Sequence, residues 1–160
     1  MVNSAFSCRL PSLAEGHCGL SSIYEHAQSS LRGFPLATLV HPDATISRRV
    51  KIGVGTVVMA GAVINSDTVI GDGCIVNTGA TIDHDNRIAD YAHISVGAHT
   101  AGTVGIGRGT WVGIGAVVSN NVDVCAGCMI GAGAVVVRDI TVPGTYVGVP
   151  ARLLREGRER

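Results

Sequence analysis

From Val40 to Val142 an aliphatic side chain returns at every sixth position. The series runs Val40, Ile46, Ile52, Val58, Ile64, Ile70, Val76, Ile82, Ile88 and Ile94. It continues through Thr100, Ile106, Val112, Val118, Val124, Ile130, Val136 and Val142, and only Thr100 is neither Ile nor Val. Four residues after most of these stands a small or β-branched side chain, as at Thr56, Ala62, Thr68, Cys74, Ala80, Ala92, Ala98, Thr110 and Ala116. Asn86 is the main exception in that column. A helix repeats at about 3.6 and a half-buried strand at about 2, so neither produces this pattern.

A period of six fits a triangular coil of short strand, tight corner and next strand. The large aliphatic points inward, the small residue lies near a corner, and Gly, Asn or Asp supplies the permissive corner backbone. Three hexapeptides close one turn, so positions 18 apart stack in columns. Stacked turns pair their strands in parallel, about 4.8 Å apart. Seventeen steps of six predict between five and six coils. A β-sandwich would show turn clusters and insertions, and the register has none.

Composition divides the chain at the ends of this repeat. Between Val40 and Arg152 there is no Leu and no Glu, although the whole chain has eight Leu and four Glu. Two strong helix formers, Leu and Glu, are thus absent where β-branched residues and glycine are dense. Residues 40–149 are predicted to be an all-β solenoid. Residues 1–39 form a short head with one helix, since Ser22–Glu25 has capping-box spacing, Ile23, Ala27 and Leu31 share a face, and Gly33 stops it. Residues 150–160 are a basic tail, frayed or briefly helical.

Twelve Lys+Arg balance twelve Asp+Glu, which argues against a nucleic-acid or anionic-membrane partner. No apolar run is long enough for a membrane helix, and the first thirty residues lack the plan of a secretory signal. Five irregularly spaced cysteines do not suggest a disulfide framework. A cytoplasmic location is expected.

Most polar residues of such a coil are solvated corners. Asn65, Asn120 and Asn121 read as corner or ladder residues, because Asn tolerates left-handed backbone. Cys74 and Cys128 occupy the small-residue column, and the lone Cys125–Cys128 pair is weak evidence for zinc. Trp111 precedes an inward Val and faces outward, suited to packing at a subunit interface. Asp83-His84-Asp85 breaks the corner pattern by placing a histidine between two carboxylates. That is either a solvated acidic corner or a general base whose basicity and tautomer a neighbouring carboxylate sets. His93 and His99 each precede an inward position and face outward.

The run Asn77-Thr78-Gly79-Ala80-Thr81-Ile82-Asp83-His84-Asp85 resembles the signature of the hexapeptide-repeat sugar O- and N-acetyltransferases. His93–Ala98, Trp111–Gly115 and Gly148–Arg152 fit that family in order and spacing. The resemblance implies a left-handed parallel β-helix, a homotrimer with sites in the clefts between prisms, acetyl-CoA as cosubstrate and no metal. It implies His84 as general base and Asp85 as the residue that enhances its basicity. It also implies that His93 contacts acetyl-CoA, that the Gly102 main chain meets the thioester oxygen, and that Ile114 and Ala132 hold the pantetheine arm. Gly148–Arg152 would lie near the nucleotide end of CoA. Relatives begin with a domain that holds a nucleotide sugar through a glycine-rich turn. Residues 1–39 are expected to be a remnant of it or a replacement for it, since no G-x-G-x-x-G follows a strand.

The expected activity is acetyl transfer to a hydroxyl or amine of a sugar or nucleotide-sugar acceptor. Two other functions share the prism. A non-catalytic trimeric solenoid would keep the coil without turnover. A γ-class carbonic anhydrase would place histidines on zinc, but pairs two of them five apart, which His84, His93 and His99 do not match.

Overall fold

A computed structural model describes residues 36–154. The helix expected between Ser22 and Gly33 and the last six residues, 155–160, lie outside the described residues. Seventeen two-residue strands follow one another from Leu39–Val40 to Val135–Val136, each six residues after the last. They stack into three parallel sheets, the faces of a left-handed β-helix. The first runs from Leu39–Val40 through His93–Ile94 to Met129–Ile130, the second from Thr45–Ile46 to Val135–Val136, and the third from Lys51–Ile52 to Asp123–Val124. His93 pairs with Ile75 below and Trp111 above, 18 residues away on each side, as the columns predict.

The core is the aliphatic column itself. Ile64, Ile82, Ile94, Val112, Val118 and Ile130 are at most 1% exposed, and the alanines beside them fill the corners. Polar residues in the small column are tied down by rungs. The hydroxyls of Thr56 and Thr110 donate to the carbonyls of Gly71 and Cys125, each 15 residues on, at 2.8 Å. Each hydroxyl then accepts an N–H from the residue 18 on, so neither hydroxyl is stranded.

The third corner residue has positive φ. Between the first and second sheets glycine fills it, as at Gly79, Gly97 and Gly115. Between the second and third sheets it is Asp67, Asp85, Thr103 and Asn121 instead, all between φ 55° and 62°. Asp and Asn accept the left-handed region more readily than other side chains, and β-branched Thr103 does not. This corner therefore gives up the easiest backbone residue to carry side chains. Tyr91, at φ 59°, does the same in the remaining corner.

Two expectations are corrected at the C-terminal end. The period of six stops at Val136, because the next corner is shortened by two residues. Ile140 pairs with Val124 and Thr145 with Met129, 16 residues apart rather than 18. Ile140 (6% exposed) takes the inward place, and Val142, in phase by sequence, is 57% exposed. Residues 150–154 are not helical. Arg152–Leu153 pairs antiparallel with Thr145–Val147 and extends the first sheet past residue 149. Among the described residues, no helix is long and apolar enough to cross a membrane.

Candidate active site

The corner after strand Thr81–Ile82 leads from the second sheet to the third and carries Asp83, His84 and Asp85. Asp83 Oδ1 accepts the His84 backbone N–H at 2.9 Å and the Asn65 side-chain amide at 2.8 Å. These two donors, Asn65 first, hold Asp83 below the usual carboxylate range. His84 Nδ1 lies 2.8 Å from Asp85 Oδ2. A carboxylate only accepts, so Nδ1 carries the proton and Nε2 keeps its lone pair. The Asp85 hydrogen bond, with the charge of Asp83 behind it, raises the His84 pKa above its ordinary value. Both side chains remain more than half exposed, so the imidazole is open to solvent.

One coil further, the ring covers Gly102. A Cβ built there would stand 2.7 Å from both Cε1 and Nε2 of His84, closer than real Cβ contacts come. Gly102 is buried, and its N–H donates to no described residue. An acceptor nitrogen of the His84 ring and an unengaged backbone donor thus lie at the same edge. That pairing suits removal of a proton next to a developing oxyanion.

A second polar group lies on the outer face of the first sheet. His93 faces outward, as expected, yet is only 9% exposed, because Trp111 tilts over it with ring centroids 4.9 Å apart. Trp111 Nε1–H donates to Ser95 Oγ, so its indole packs within its own chain. Asn77 Oδ1 accepts the Thr78 N–H, which turns its amide nitrogen toward His93 Nε2 at 3.2 Å. Nε2 is then the acceptor and Nδ1 carries the proton. Burial lowers the His93 pKa, keeping the ring neutral. Nδ1 is itself buried and meets no hydrogen-bond partner among the described residues.

Ile114 and Ala132 sit one above the other in the corner joining the first and second sheets, both exposed. Their N–H groups donate to no described residue. One chain therefore brings His84, Asp85 and Gly102 together at one edge of the prism, and sets Ile114 and Ala132 along another. His93 is on a face that does not touch the His84 edge. His99 Nδ1 meets Thr81 Oγ1 at 2.8 Å and joins neither group. Cys125 and Cys128 have sulfurs 3.5 Å apart. Desolvation pushes the Cys128 thiol up to about 12 and the Cys74 thiol to about 11, so neither is a nucleophile near neutral pH. Among the described residues, no three His, Cys, Asp or Glu side chains gather as a metal would need.

No protein-family model and no curated protein matches the chain. Solved structures do. The acetyltransferase domain of PglB from Neisseria gonorrhoeae is 43% identical, with a TM-score of 0.81, over 88% of this chain and 68% of that one. The same domain is known in complex with acetyl coenzyme A. A variant of perosamine N-acetyltransferase from Caulobacter crescentus, in complex with CoA and GDP-perosamine, is 38% identical. Its TM-score is 0.82 over 89% of this chain and 68% of that one. The chain belongs to the hexapeptide-repeat sugar acetyltransferases. WeeI from Acinetobacter baumannii, at 25% identity and TM-score 0.73 over 88% of this chain and 68% of that one, has the same fold.

As a sugar acetyltransferase, the chain keeps the prism intact around its polar edge. One residue in that edge escaped sequence reasoning. Asn86 read only as an irregularity in the small column, but its buried amide donates to the carbonyls of Asp83, His84 and Ala101. The available signal was its position, two residues after His84, in a column otherwise filled by Val50, Thr68, Val104 and Val122.

Proposed function

We propose that this protein transfers the acetyl group of acetyl-CoA to a hydroxyl or amine of a sugar or nucleotide-sugar acceptor, with His84 as general base. The observation that carries this reading is the His84–Gly102 juxtaposition, with Asp85 holding the far side of the ring. His84 Nε2 takes the proton from the acceptor as the new C–O or C–N bond forms. The Gly102 N–H meets the negative charge that grows on the thioester oxygen, and the C–S bond breaks to release CoA, which leaves with a proton. Asp85 keeps Nδ1 protonated throughout and stabilises the imidazolium while it lasts. No covalent enzyme intermediate is required.

The buried Nδ1–H of His93 and the unengaged N–H groups of Ile114 and Ala132 are the groups of this chain suited to acetyl-CoA. They lie on other parts of the prism surface than His84, so a site that uses all of them is built between copies of the chain. A homotrimer supplies it. The outward residues of the first and second sheets are largely apolar, including Val57, Ile75, Val63, Val117 and Val135. The third sheet presents Lys51, Arg87 and Asp123 and suits solvent.

Calorimetry with acetyl-CoA, followed by a CoA-release screen over sugars, amino sugars and nucleotide sugars, tests the proposal. Binding with turnover of one acceptor class supports it. Absence of acetyl-CoA binding by the intact protein overturns it.

A further inference from the structure

The interior of the prism is apolar except at a few rungs, and in the described residues Asn86 supplies its one buried amide. It is 0% exposed. Its Nδ2 lies 2.9 Å from the Ala101 carbonyl, 15 residues on, the same rung that buried Thr56, Thr68 and Thr110 make with their hydroxyls. A threonine would therefore satisfy the coil. The amide does more than that: Nδ2 also reaches back to Asp83 O at 2.8 Å and His84 O at 3.1 Å. All three neighbours are carbonyls, which fixes the orientation of the amide. From the coil below, Thr68 Oγ1–H donates to the same Asp83 carbonyl at 2.8 Å. In the coil above, the Thr103 N–H donates to His84 O at 2.9 Å. The peptide groups on both sides of the His84 α-carbon are thus gripped from the core, while the side chain stands in solvent.

We propose that Asn86 is a positioning residue for His84: its buried amide clamps the Asp83 and His84 carbonyls and so keeps the imidazole seated against Gly102. The inference rests on the reading of His84 as general base. Asn86 touches no substrate and acts only through the corner. Its position explains why a column of small and aliphatic residues admits an amide at this level, with Oδ1 buried and without a hydrogen-bond partner among the described residues. An exposed side chain on so short a corner has few neighbours to hold it. Reaction geometry is sensitive to shifts of about 1 Å, so the grip has to come from the backbone.

Asn86→Thr is the discriminating variant, since it retains the rung to Ala101 and loses the two bonds into the corner. It should keep the thermal transition and acetyl-CoA affinity of wild type. kcat should fall about 10- to 100-fold with KM for acetyl-CoA unchanged. NMR titration of the imidazole, assigned with His84→Ala, gives a readout that needs no acceptor. The carboxylates facing His84 are Asp83, Asp85 and Asp67. With the corner loosened, the Asp85 bond weakens and the His84 midpoint should drop toward about 6.5. Asn86→Val, the residue of the column at Val104 and Val122, should behave alike. A folded Asn86→Thr protein with wild-type titration and turnover would overturn the proposal. Collapse of the solenoid in both variants would also overturn it, by showing that the amide sustains the coil as a whole. Wild-type turnover in His84→Ala would instead overturn the general-base reading, and the titration would still decide the role of Asn86.

Discussion

His84 and Gly102 are matched across one coil step, the imidazole occupying the space where any side chain at 102 would begin. The φ of Gly102 is not in the left-handed region, so its glycine is required by contact alone. Gly102→Ala should therefore leave the solenoid folded and push the His84 ring aside, lowering turnover by at least about tenfold. A double-mutant cycle checks this. In a His84→Ala background, adding Gly102→Ala should cause little further loss, because the ring it would displace is gone.

Removing the base itself should separate chemistry from binding. His84→Ala deletes an exposed corner side chain that contributes nothing to the aliphatic column. Thermal unfolding and acetyl-CoA calorimetry should match wild type, while turnover falls by about 10² to 10⁴. Normal turnover in this variant would end the assignment of His84.

The pH profile follows from the Asp85 bond. As the proposed general base His84 works unprotonated, and its pKa is raised, so kcat/KM should fall on the acid side through a midpoint above about 6.5. Asp85→Asn removes the charge that favours the imidazolium and should move that limb to lower pH while reducing the rate. The same pair affects stability with the opposite sense. A group with a raised folded pKa stabilises fully below its unfolded value, and that contribution disappears as pH rises through the folded value. An acid limb unmoved by Asp85→Asn would remove Asp85 from the mechanism.

Assembly is testable by sedimentation. The unengaged donors of Ile114 and Ala132 line a different edge from His84, so one prism does not unite them. Sedimentation equilibrium at micromolar concentration should give a homotrimer. A monomer that retains turnover would show that the site is complete in one chain.

The core makes a simpler prediction. Ile82 is fully buried in the coil that carries His84. Ile82→Ala should destabilise the protein by about 2–5 kcal/mol, through lost burial and an unfilled cavity between rigid coils. Denaturant unfolding measures it, provided the transition is fitted with its subunit concentration.

The sequence by itself determined the solenoid, the three columns and the Asp83-His84-Asp85 corner, because an inward aliphatic every sixth residue leaves one way to bury them all. It also carried Val142 in phase where the chain has slipped. A periodic pattern does not report that the corner before Ile140 is two residues short, and only the pairing of Ile140 with Val124 does. His93 faced outward by pattern, but its burial depends on Trp111, 18 residues away and adjacent only once the coils stack. The amide of Asn86 looked like a fault in a column, and its three carbonyl partners exist only in the folded corner. The spacing of 18 already set His84 and Gly102 on one edge and Ile114 and Ala132 on another, and tertiary structure decided that the His84 ring closes over Gly102. Position modulo 18 assigns a residue to its edge of the prism, but contact between side chains needs the distances that stacking creates.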